Sequence, residues 1–101
     1  MTLLEECCKR IINERKIQWF SIRHAKVLTT LKKYNEQATA NIALITNTEK
    51  QTISQTLQEL KNAKLITFNG EAYCLQNEIE TLQKLMQMAE KQEIKIMAKS
   101  K

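Results

Sequence analysis

Gln51, Gln55 and Gln58, with Ser54 and Lys50 beside them, are the side chains of this 101-residue sequence whose types and spacing best suit recognition chemistry. On a helix turning ~100° per residue they gather on one side, nearly opposite Ile53, Leu57 and Leu60. Amides and hydroxyls both donate and accept, and a glutamine can pair bidentately with the adenine edge in a major groove. Plain solvation is the alternative for such a face. The short helix and tight turn just before it raise the recognition reading above that alternative.

The remaining reactive residues do not assemble into a catalytic set. His24 is the single histidine, and there is no aspartate. A Ser-His-Asp site is therefore impossible, and a Cys-His pair lacks an orienting partner. Gly70 is the single glycine, so no glycine loop can cradle a phosphate. No enzyme is expected, and His24 reads as a partly exposed structural residue. Cys7 and Cys8 are adjacent, ~100° apart on a helix, which does not suit one metal ion. Neither a metal nor a cofactor is expected. Cys7, Cys8 and Cys74 are an odd set that forms no disulfide framework. Burial as small hydrophobes is the main expectation, with a redox switch as the alternative.

Composition bounds the class. Hydrophobic residues make up 43%, with no proline, and every acidic residue is glutamate. That favours helices over loops or sheets. The net charge is +5, and residues 21–76 hold +3 of it, from seven basic and four acidic groups. A positive balance favours nucleic acid through counterion release, although ordinary solubility accounts for a charge of this size as well. No apolar run nears the ~18 residues of a membrane span. Glu5 and Glu6 do not suit a signal peptide. A cytoplasmic protein with reduced thiols and no membrane partner is expected.

Hydrophobic periodicity supplies the elements. Residues 2–18 form the first helix, capped by Thr2 with Glu5, with Leu4, Cys8, Ile11 and Ile12 on one face. Ser21 caps a second helix reaching about Tyr34, with Ile22, Ala25, Leu28 and Leu31 as its buried stripe. Thr39 caps a third, short helix to Thr46, burying Ile42 and Ile45. Asn47 suits a left-handed helix end. Thr48 with Gln51 reads as a capping box opening the fourth helix, about residues 49–63. Lys64–Phe68 and Glu71–Leu75 are β-prone, and Asn69-Gly70 between them is a strong hairpin signal, with positive φ at both residues. Asn77 caps the last helix, where Ile79, Leu82, Met86 and Ala89 form a stripe with Leu85 and Met88 beside it. Residues 94–101 lose the pattern and are expected to fray. The two terminal helices carry more apolar surface than a small core needs, which favours a homodimer over folding back alone.

From Ser21 to Leu75 the sequence resembles the ArsR-like branch of winged-helix regulators. SIRHAKVLTTL looks like their core helix, and TISQTLQELKNAKLI is similar to their recognition helix and its exit into the wing. The rhythm of Leu57, Leu60, Ala63 and Leu65 matches that exit, and EAYCL looks like the second wing strand. The resemblance implies a mainly α winged helix-turn-helix with a small β-hairpin wing. Residues 1–20 would form an N-terminal dimerisation helix, 21–76 the core, and 77–101 a C-terminal dimerisation helix and tail. It implies a homodimeric repressor on double-stranded DNA. Lys50, Gln51, Ser54, Gln55 and Gln58 would face the major groove, Thr39, Asn41 and Thr52 the phosphates, and Asn69 and Gly70 would form the wing tip. Leu4, Cys8, Ile11, Ile79, Leu82, Leu85, Met86 and Ala89 would form the dimer interface. Two departures stand out. Ala38 and Ala40 occupy positions where metal-sensing members carry cysteines, and Glu71 replaces a basic cluster on the wing. A protein-interaction module of the same fold, without DNA readout, is the competing expectation.

Overall fold

In a computed structural model, residues 3–75 and 77–99 are described, except for the side chains of 92–99. The expected cap at Thr2 lies outside them. Five helices and one small hairpin follow in the order α1 (Leu3–Asn13), α2 (Ile22–Tyr34), α3 (Thr39–Thr46), α4 (Lys50–Asn62), β1 (Thr67–Phe68), β2 (Tyr73–Cys74) and α5 (Glu78–Lys99). The fold is mainly helical. Helix α2 is its centre, packing on α1, α3 and α4, while α1 also meets α5.

The core joins Leu4, Cys8 and Ile11 of α1, Val27, Leu28 and Leu31 of α2, Ile42 of α3, Ile53, Leu57 and Leu60 of α4, and Leu85 of α5. Leu28, Ile42, Leu57, Leu60 and Leu85 are fully sealed from water. Each such aliphatic side chain contributes about 1.5–3 kcal/mol through burial.

Three helices end in the same closure without glycine. After α1, Arg15 N–H donates to the Ile12 carbonyl and Lys16 N–H to Ile11. The same pairings recur at Asn47 and Thr48 after α3, and at Lys64 and Leu65 after α4. Arg15, Asn47 and Lys64 take φ of 51°, 52° and 62° to allow it. This is the Schellman pattern, which satisfies the last carbonyls of a helix. The left-handed end expected at Asn47 is present. The closure at Arg15 stops α1 at Asn13 rather than residue 18, and no glycine or asparagine at that position signals it in the sequence.

The hairpin pairs Thr67 with Cys74 and Phe68 with Tyr73, antiparallel. Only Gly70 has positive φ in its turn, at 100°, so the expected pair of left-handed residues is not formed. Instead the Asn69 side-chain oxygen accepts from the Glu71 and Ala72 backbone N–H groups, both at 2.9 Å. A third extended segment, unforeseen in the sequence, joins the hairpin: Gln37 exchanges backbone hydrogen bonds with Tyr73.

Other expectations need correction. Helix α4 opens at Lys50 with Glu49 as N-cap, and the Thr48–Gln51 capping box is absent. The Thr48 hydroxyl turns back to the Thr46 carbonyl at 3.2 Å. Thr39 is the first residue of α3, and Ala38 is its N-cap. Ile22 and Ile45 are exposed rather than buried. Asn77 does cap α5, accepting from Ile79 N–H at 2.8 Å. Along α5 the buried face runs through Thr81, Leu85 and Ala89; of the expected stripe Ala89 is buried and Leu82 half-buried, whereas Ile79 and Met86 are exposed, and the helix extends to Lys99.

Candidate nucleic-acid interface

Helix α4 is fixed from below. Ile53, Thr56, Leu57 and Leu60 are buried against α2 and α3. Thr56 is polar, but its hydroxyl donates to the Thr52 carbonyl at 2.8 Å, so burial leaves no orphaned group. The connection from α3 is only Asn47, Thr48 and Glu49. Its closure onto Ala43 and Leu44 sets the angle between the two helices.

The opposite side of α4 faces outward. Lys50, Gln51, Ser54, Gln55, Gln58, Lys61 and Asn62 are all exposed, and Thr52 is half-buried. Gln58 reaches Asn62 over a long 3.4 Å contact. Gln51, Ser54 and Gln55 make no side-chain hydrogen bond to any other described residue. They form a ridge of free donors and acceptors a little over one turn long.

The flanking residues are more committed. Asn41 is exposed but donates to the Gln37 side chain at 3.3 Å. Thr39 is half-buried. At the hairpin tip, Asn69 donates to the Glu36 carboxylate while its oxygen caps the turn. It is spent on structure, so Gly70 offers its backbone alone.

Charge is distributed unevenly. Helix α3 carries no charged residue, and Glu49 sits beside Lys50 at the start of α4. Cations gather at the other end. Lys61 lies 5.6 Å from the Phe68 ring centre, and Lys84 Nζ donates to the Lys64 carbonyl at 2.8 Å. Sequence spacing cannot bring Lys84 of α5 beside the end of α4, so this cluster was not foreseen.

The histidine differs most from expectation. His24 is completely buried, not partly exposed. Its Nε2 lies 3.0 Å from Glu59 on α4, and Arg23 lies 3.6 Å from the same carboxylate oxygen. Burial lowers its affinity for a proton below the ordinary histidine value, outweighing the raising effect of Glu59.

The predicted dimer residues divide into two groups. Leu4, Cys8, Ile11, Leu85 and Ala89 belong to the chain's own core, although Ile11 and Ala89 also reach the floor of a surface groove. Ile79 and Met86 are exposed at 66% and 58%, with Leu82 half-buried between them. With Leu3 and Cys7 of α1, Leu82 and Met86 line an open groove of about 590 Å³, rimmed by Glu6, Arg10 and Glu90.

The cysteines are free thiols. Burial pushes Cys8 up to about 12, helped by its neighbours Cys7 and Glu5. Burial also raises Cys7. Both effects oppose the thiolate that redox chemistry requires. Among the described residues no cluster of three His, Cys, Asp or Glu is arranged to hold a metal, and no helix is long and apolar enough to cross a membrane.

Comparison with protein families, curated proteins and solved structures finds no match to the chain.

Proposed function

We propose that the chain is a winged helix-turn-helix protein that binds duplex DNA as a homodimeric, ArsR-like repressor. The observation that carries this reading is the ridge of Gln51, Ser54 and Gln55. It is exposed and free of side-chain partners among the described residues, on a helix whose other face is locked in the core. A short helix, a three-residue turn and this second helix form a unit whose dimensions suit a major groove. The bridge between Gln37 and Tyr73 gives the hairpin a third strand, as a wing attached beside such a unit would have. Two copies joined through α1 and α5 would set their α4 helices toward successive grooves ~34 Å apart.

Selection of bound sequences from random duplexes tests the reading. A pseudo-palindromic consensus is expected. No enrichment at about 50 mM salt, where phosphate contacts are strongest, would contradict it.

One observation favours a protein-binding module instead. Helix α3 is uncharged, and its Leu44 is 79% exposed beside Ile45 at 43%. Salt separates the two readings. Duplex affinity that rests on several phosphates falls by orders of magnitude between about 50 and 200 mM salt, whereas a protein-binding module shows no duplex affinity at either.

A further inference from the structure

The chain's single histidine is sealed inside it, with both ring nitrogens engaged. His24 Nδ1 accepts from the Ser21 backbone N–H at 3.1 Å and lies 2.9 Å from the Ser21 hydroxyl. Nε2 lies 3.0 Å from Glu59 Oε1. Because Nδ1 accepts a backbone N–H, the proton of the neutral ring sits on Nε2 and is donated to Glu59. Phe20 stacks on the ring at 5.6 Å, and Trp19 meets it edge-on at 5.2 Å. One imidazole thus ties the start of α2 to α4. The charged groups facing it are Glu59 from α4 and Arg23 from α2. The segment before α2 brings only Trp19, Phe20 and Ser21.

A second proton has one place to go, which is Nδ1. There it meets the Ser21 N–H, a donor that cannot turn away. The Ser21 hydroxyl can rotate to accept, but the backbone N–H then faces another donor across a ring that is itself fully buried. Glu59 compensates in part, since a carboxylate attracts an imidazolium. That carboxylate is 36% exposed and already shared with Arg23, so its attraction is screened.

We propose that His24 is a proton-sensitive positioning residue for α4: neutral, it holds that helix against α2, and protonated, it lets go. The consequence for DNA rests on the duplex-binding reading above, while the seating of α4 does not. By linkage, acid favours whichever state binds the proton more tightly. The buried ring binds it less tightly than a ring in water, whose ordinary value is 6.5. The seated state is therefore fully present above that value and is lost as pH falls below it. Simple electrostatics runs the other way, because a new cation strengthens attraction to phosphates.

The test follows the imidazole nitrogens and the α4 backbone amides of the whole chain by NMR, from about pH 8 to about pH 5. The ring is expected to titrate below 6.5, with the amides of Lys50–Gln55 moving at the same midpoint. Affinity for a selected duplex should fall about five-fold or more across that range. In His24→Gln it should stay flat, since the Gln amide oxygen at this helix position can still accept the Ser21 N–H. If that variant does not fold, Glu59→Gln serves: it keeps the acceptor, removes the charge, and should lower the midpoint further. A ring that titrates at or above 6.5, unmoved α4 amides, or a variant that keeps the wild-type pH profile would overturn the proposal. If ring and amides move together but no duplex binds at any pH, the positioning role stands and the DNA reading fails.

Discussion

Gln37 and Tyr73 exchange both of their backbone hydrogen bonds, at 3.0 and 2.9 Å. This bridge ties the connection before α3 to the second hairpin strand, so the hairpin is held beside α3 and α4 rather than hanging free. A two-stranded hairpin of this size is marginal by itself. Gln37→Pro removes the N–H that Tyr73 accepts and should cost about 1–3 kcal/mol in urea unfolding. Gln37→Ala keeps both backbone bonds and should cost clearly less. Equal losses in the two variants would mean that the side chain, not the bridge, is what matters.

Lys64 holds a left-handed conformation with φ of 62°, and Gly70 one of 100°. A side chain in the left-handed region costs about 1–2 kcal/mol, part of which glycine returns to the flexible unfolded chain. Lys64→Gly should therefore stabilise the protein by about 0.5–1 kcal/mol. Gly70→Ala should destabilise it by roughly 1 kcal/mol through backbone strain, since nothing stands in the way of an added Cβ. Thermal melts of the two variants shifting in the same direction would contradict this account of the turns.

Met86 and Leu85 are neighbours with opposite fates: Met86 is exposed and Leu85 fully buried. Leu85→Ala should cost about 2–5 kcal/mol of folding stability. Met86→Lys should leave stability within about 0.5 kcal/mol yet weaken self-association. Sedimentation of Met86→Lys at matched concentration checks this. A dimer as tight as the wild type would remove α5 from the proposed interface.

Cys8 is buried with its thiol pushed up to about 12, while Cys7 is half-buried on the groove side. Iodoacetamide at about pH 8 should leave Cys8 unmodified in the folded chain and label it after unfolding in urea, because only the thiolate reacts. Equally fast labelling in both states, read by mass spectrometry, would show that the terminal helices open readily.

Local patterns were legible where one residue type settles the geometry. The buried side of α4, the left-handed Asn47 and the Asn77 cap all follow from spacing or from a single favourable side chain. Other features depended on distant partners. His24 reads as a partly exposed structural residue until Glu59, 35 positions away, is beside it. Helix α5 has apolar residues on more than one side, so hydrophobicity alone could not select its buried face. Thr81 takes a core position because its hydroxyl is satisfied by the Asn77 carbonyl at 2.9 Å. Arg15 ends α1 in a conformation usually marked by glycine, so that boundary left no trace in the sequence, whereas the end of α4 before Lys64 was legible from the β-prone run that follows. Of the candidate site, the outward ridge was legible. The commitment of Asn69 to Glu36 was not, since the two lie 33 positions apart, and Asn41 is held by Gln37 four positions before it.

The outward ridge of α4 is the central claim, and duplex affinity of Gln55→Ala beside the wild type tests it most directly. Gln55 is exposed and its side chain makes no hydrogen bond to another described residue, so its loss should leave folding stability within about 0.5 kcal/mol. On a duplex selected with the wild type, the variant should lose about 1–3 kcal/mol of binding and relax base preference at one position. A variant that binds that duplex as tightly and as selectively as the wild type, or a wild type that retains no duplex at about 50 mM salt, would contradict the account.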